Sequence, residues 1–177
     1  MKNSTARYEK SRGILLVIIC LALIQSGCQT LSFDPRGRTV PEAKRIALQE
    51  SGESRGIYKT DDLTLTYKMA RAPGKLTITG EIHFADRVIE NFPVIQYFHL
   101  DAILIDAQGK VQDMVGLISA SFYRSEYILL SDPPLAFNTS LTVGESTKSI
   151  AFSYTGKGID PTERAGGSMD FWEYPVE

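Results

Sequence analysis

LTLTYKMARAPGKLTITGEIHF, residues 63–84, decides the fold class. Leu63, Leu65, Tyr67 and Met69 alternate with Thr64, Thr66 and Lys68. Successive side chains on a strand point to opposite faces, so this period of two marks a half-buried strand. Pro73-Gly74 follows, a dipeptide whose backbone preferences suit a tight turn. Leu76, Ile78, Ile82 and Phe84 then alternate with Thr77, Thr79, Glu81 and His83. Together the two runs predict a β-hairpin.

The same period recurs toward the C-terminus. Residues 94–106 form the longest apolar segment, Asp106-Ala107-Gln108-Gly109 a turn, and 110–118 a returning strand. Residues 119–131 suit either a strand or a helical turn. Pro133-Pro134 breaks the chain, and Leu135, Phe137 and Leu141 mark another strand. After Val143-Gly144-Glu145, Ile150, Phe152 and Tyr154 alternate with Ser149, Ala151 and Ser153. Gly156-Lys157-Gly158 and residues 161–167 read as loop, and 169–174 as a last, aromatic strand. About seven short strands without intervening helices predict a mostly β, antiparallel sandwich rather than a parallel sheet. One short N-terminal helix is expected over residues 41–50, with Thr39 as its cap, Pro41 in its first turn and Gly52 past its end. Residues 28–56 around it read as a tether, and 57–177 as the sandwich domain.

Nineteen basic and 21 acidic side chains give a formal net charge of −2. Lys2, Arg7, Lys10 and Arg12 against Glu9 make residues 1–27 carry +3, so the remaining 150 carry −5. An acidic body argues against nucleic-acid binding, which needs a basic surface to displace counterions. Two Cys and two His exclude a Cys-rich zinc site and a disulfide framework.

Residues 13–24, GILLVIICLALI, carry no charge and follow a basic flank. Twelve residues fall short of the roughly 20 that cross a bilayer as a helix, but they match the apolar core of a secretory signal peptide. Ile24-Gln25-Ser26-Gly27-Cys28 then resembles the lipobox of bacterial lipoproteins, with Gln25 where that family prefers Leu. The resemblance implies cleavage before Cys28, acylation of its thiol and anchorage in the cell envelope. Gln29, rather than Asp, favours the outer membrane by the sorting rule of enteric bacteria. Each buried methylene contributes about 0.8 kcal/mol, so two or three chains hold permanently where one holds reversibly. Cys20 leaves with the signal, and the mature domain then offers no thiol to a disulfide, metal or nucleophile.

A second resemblance concerns the body. Gly80 late in a strand, the long apolar strand, Asp106-Ala107-Gln108-Gly109-Lys110 at a hairpin, and Val143-Gly144-Glu145 before Ile150-Ala151-Phe152 resemble the single immunoglobulin-like domains of many bacterial lipoproteins. It covers residues 75–155 and lacks the Cys–Trp–Cys core of antibody domains. It implies a fold and no particular activity.

No catalytic constellation stands out. Gly-x-Ser-x-Gly is absent. The fragment Gly144-Glu145-Ser146-Thr147-Lys148-Ser149 lacks the second glycine of a phosphate loop and precedes a strand, so it reads as a hairpin turn. Antiparallel pairing of 75–84 with 94–105 would set His83 opposite Ile95 and hold His99 too far away to share an ion, so no metal and no cofactor are expected. His99 and Asp101 share a sheet face, the basis of a weaker hydrolase hypothesis with a nearby Ser or Thr. On segment 94–105, Val94, Phe98, Leu100, Ala102 and Leu104 fill one face, while Ile95, Tyr97, His99, Asp101, Ile103 and Ile105 make the other unusually apolar. A cover is therefore expected, either the 41–50 helix, residues 119–131, or a protein partner docking on Ile95, Tyr97, His99, Asp101 and Ile103. The sequence thus predicts a non-enzymatic envelope interaction or assembly module, membrane-attached through Cys28 and binding no nucleic acid. The alternative is a carrier of a small apolar ligand in a barrel or sandwich cavity.

Overall fold

The computed structural model describes residues 34–92, 94–121, 134–160 and 167–177. The expected signal segment, Cys28 and most of 119–131 lie outside them. Pro35–Glu177 forms one compact unit of two antiparallel sheets. The strands are β1 (Ile46–Ala47), β2 (Gly52–Lys59), β3 (Leu63–Ala72), β4 (Lys75–Phe84), β5 (Val94–Ile105), β6 (Val111–Ser121), β7 (Leu135–Thr142), β8 (Ser149–Ile159) and β9 (Ser168–Glu173). One sheet has the order β2-β3-β4-β7. The other runs β8-β5-β6, with β1 and β9 both on the outer side of β8.

The 63–84 hairpin forms as its alternation requires, with Ala72 opposite Lys75 and Gly74 at φ 71° in the turn. Asp106 closes the β5–β6 turn: its Oδ1 accepts from the backbone N–H of Gln108 at 2.9 Å and of Lys110 at 2.8 Å. Between the sheets lie Leu63, Leu65, Ile78, Ile82, Phe98, Leu100, Phe152 and Phe171 among other buried side chains. Each such burial contributes about 1.5–3 kcal/mol.

Five expectations are corrected. Residues 41–50 do not form a helix: a single 3-10 turn, Glu42–Lys44, buries no side chain and gives way to β1, which pairs Ile46 with Ile150. A ten-residue helix needs a docked apolar face, and here Ile46 packs against the core from an extended pairing instead. The described part of the 28–56 tether is folded onto the domain. Gly37 N–H donates to Val111 O at 2.8 Å, Val40 N–H to Gly109 O at 3.0 Å, and residues 52–59 are strand β2. Segment 75–84 does not pair with 94–105, because the helical turn Asp86–Ile89, with Val88 buried, carries the chain to the opposite sheet. The turn at 144–147 likewise leads from one sheet to the other instead of closing a hairpin.

Fifth, Gly156 and Gly158 lie inside β8, not in a loop. Gly156 pairs with Phe98 on one side and Phe171 on the other, and a Cβ at Gly156 would collide with the Phe171 ring. The other sheet repeats the device in the row Gly56, Tyr67, Gly80, Phe137. A Cβ on Gly80 would stand 2.8 Å from both the Phe137 ring and Thr66 O. Glycine here makes room for an inward aromatic ring on the neighbouring strand.

Candidate functional site

Five residues of β5, Ile95, Tyr97, His99, Asp101 and Ile103, were expected to form a partner surface, and the fold separates them. Ile95 pairs with Gly158 and Tyr97 with Lys157, leaving Gln96 without an opposite residue. This bulge turns Ile95 inward beside Phe98, where it is fully buried in the main core. Ile103 does face outward but is sealed. With Ile105, Val111 and Ala151 it forms a second cluster covered by Val40, with Val176 packed against it. The cover is thus the chain's own residues 38–40 and its C-terminal residues, not a helix. Glu177 N–H donates to Thr39 O at 2.9 Å, tying the two covering segments together.

Tyr97 and His99 remain half-exposed on the other part of that face, with Asp101 buried beside His99. His99 Nε2 and Asp101 Oδ1 stand 2.9 Å apart. Burial pushes the Asp101 carboxyl above the usual aspartate range, and the charge and hydrogen bond of His99 pull it part of the way back. Gly116 lies opposite Asp101 and leaves the His99 ring unobstructed on that side. Ser119 and Thr155 flank His99, and Trp172, 66% exposed, stands next to Thr155. Tyr97 Oη approaches Asp170 Oδ1 at 3.4 Å. A hydrolytic triad needs a hydroxyl on the histidine nitrogen that the carboxylate leaves free. Among the described residues none is hydrogen-bonded to His99, and Ser153, opposite Asp101, donates instead to Glu173 O at 3.0 Å. His83 lies on the outer face of the other sheet, so the two histidines cannot share an ion.

Sequence reasoning missed a second surface. The outer face of the four-stranded sheet carries a hollow of about 670 Å³. Arg55, Ile57, Thr66, Lys68, Glu81 and Asn138 rise around it, and its level along the strands is the row Gly56, Tyr67, Gly80, Phe137. The two glycines leave room beneath it for the inward side chains of Tyr67 and Phe137, which inward Cβ atoms would strike. Ile57, at the β2 margin, is 70% exposed. The signal in the sequence is the pair of strand glycines, each set beside an inward aromatic once the strands are in register; single-strand alternation carries no trace of it.

The hollow combines two cations, one carboxylate, an amide, hydroxyls and an exposed aliphatic side chain. Such a lining suits reversible contact with a polypeptide or polar ligand, and it holds no nucleophile–base pair. Comparison with protein-family models, with curated proteins and with solved structures finds no match.

Proposed function

We propose that this chain is a non-enzymatic interaction module of the bacterial envelope, lipid-anchored through Cys28 and displaying its hollowed sheet to a protein partner. The observation that carries this reading is the hollow itself: a concave outer face, ringed by Arg55, Lys68 and Glu81, with Ile57 exposed beside it. Outer faces of sandwiches are ordinarily polar, and an exposed apolar residue beside a concavity favours a binding role. The lipobox-like Ile24-Gln25-Ser26-Gly27-Cys28 supports the anchor. With the −5 body, charge does not draw the domain to an anionic leaflet, which leaves the acyl chains to hold it. The outer membrane is the proposed location, on the strength of Gln29.

The sandwich is further proposed to be immunoglobulin-like. Supporting this, the chain changes sheets between β4 and β5, between β6 and β7, and between β7 and β8, so that β4 pairs β7 and β5 pairs β8. That is the Greek-key order in which a middle strand of each sheet is joined by a crossing connection. A carrier of small apolar ligands would need an open space between the sheets, where Phe98, Phe152 and Phe171 instead pack together.

Two measurements test the proposal. Mass spectrometry of membrane-extracted protein should give a diacyl or triacyl mass on Cys28, and Cys28→Ser should release the chain from the membrane fraction. A photo-crosslinker at Lys68 in intact cells should yield a discrete adduct that one at Ala107, on the β5–β6 turn, does not. An unmodified Cys28 removes the anchor, and equal labelling from both positions removes the binding face.

A further inference from the structure

We infer that two copies of this chain pair through their β2 strands, antiparallel and about a two-fold axis at Gly56. The inference does not rest on acylation of Cys28. Among the described residues β2 pairs with β3 alone. The hydrogen-bonding parity of that ladder follows from its turn. Thr60 N–H donates to Leu63 O at 2.9 Å, and the register continues with Lys59 opposite Thr64 and Tyr58 opposite Leu65. Hydrogen-bonded and non-hydrogen-bonded pairs alternate along an antiparallel ladder. Ser54, Gly56 and Tyr58 therefore bond to β3, while Glu53, Arg55, Ile57 and Lys59 turn their N–H and C=O groups away from it. The same four residues carry exposed side chains on the outer face. A row of open backbone groups is a template for another strand.

Charge selects the occupant and the register. In a symmetric antiparallel pair joined by these open groups, odd-numbered residues face odd-numbered residues. Centring on Arg55 sets that guanidinium against its own copy. Centring on Ile57 sets Arg55 against the second copy's Lys59. Centring on Gly56 sets Glu53 against the second copy's Lys59 and Arg55 against its Ile57, with both pairs repeated across the axis. Opposite charges facing across strands stabilise a pair and like charges destabilise it. Centring on Ser54 also opposes Glu53 to the second copy's Arg55 but overlaps only residues 52–56 of β2, and centring on Tyr58 overlaps only 57–59. The Gly56 register joins residues 53–59 with matched charges and so wins. It also puts the residue without a side chain at a non-hydrogen-bonded pair, where Cα atoms approach to about 4.5 Å. Ile57 then lies under the aliphatic stem of the second copy's Arg55. The two four-stranded sheets become one of eight, and the hollow continues across the axis.

The test uses the full chain extracted in mild detergent. Sedimentation should show a reversible dimer. Lys59→Glu, which places two carboxylates opposite one another on each side of the axis, should weaken it by about tenfold. Adding Glu53→Lys to the same chain reverses both charges and should restore the dimer. In a background with Cys20 and Cys28 replaced by serine, Arg55→Cys mixed with Ile57→Cys should form a disulfide far faster than either variant alone, because only the mixed pair lies directly opposite. A monomer at all concentrations, a dimer indifferent to Lys59→Glu, or equal cross-linking by the single variants would each overturn the inference.

Discussion

The Tyr154 hydroxyl donates to Oδ2 of Asp62 at 2.7 Å, joining β8 of one sheet to the β2–β3 turn of the other. Thr60 Oγ1 lies 2.8 Å from the same hydroxyl, and Arg87 pairs with the other carboxylate oxygen while its Nε donates to Asp61 O at 2.8 Å. The group thus closes one end of the sandwich and secures the helical turn that carries the chain between sheets.

Tyr154→Phe deprives a buried carboxylate of one donor and should lower stability by about 1–3 kcal/mol, read as the urea midpoint. Burial, reinforced by Asp62, holds the phenol well above the usual tyrosine range. A group whose folded value is raised gives its stability in full below the unfolded value, about 10 for tyrosine, and loses it as pH climbs toward the folded value. The wild-type chain should therefore weaken above that pH, and Tyr154→Phe should weaken less steeply.

Val40 is fully buried over Ile103 and Ile105, where the sequence led us to expect a helix over 41–50, residues 119–131 or a partner. Val40→Ala should cost about 2 kcal/mol, since two methyl groups leave a site held in place by backbone bonds on both sides. Hydrogen exchange should quicken at Val111, whose N–H donates to Arg38 O. No change in midpoint would mean that residues 38–40 are not part of the folded unit.

Gly80→Ala forces a Cβ toward the Phe137 ring and Thr66 O. Overpacking of this kind should lower stability by about 1–3 kcal/mol. Pairing it with Phe137→Leu should recover part of the loss, because the ring yields while the carbonyl does not. Full additivity of the two substitutions would disprove the ring-over-glycine account.

Asp101→Asn tests the pair with His99. Because burial raises this carboxyl, its contribution is complete below the unfolded value of about 4 and is withdrawn as pH rises past it. The variant should therefore gain on the wild type in thermal melts taken at rising pH from about 3.5 to 6. A gain in the opposite direction would show that the His99 pair outweighs burial.

The strands and their turns were legible because they are local. Leu63, Leu65 and Met69 face inward simply because strand side chains alternate, and Pro73-Gly74 and Asp106 to Gly109 turn because of their own backbone preferences. Read one strand at a time, glycine signals a break, so Gly156 and Gly158 looked like loop, and Gly52 and Gly56 like part of the tether over 28–56. Only when Gly156 stands beside Phe171, and Gly80 between Tyr67 and Phe137, does its missing Cβ become space for a ring.

The candidate surface divides in the same way. Alternation along residues 94–105 set Tyr97, His99, Asp101 and Ile103 on one face of the strand. The tertiary structure alone settled what each of them meets. A one-residue bulge at Gln96 sent Ile95 to the interior, and Val40, 63 residues away in sequence, closed over Ile103. Periodicity is set by neighbours a few residues apart, whereas register, bulges and covering segments are set by pairing between distant ones, and no single stretch of chain records its partner.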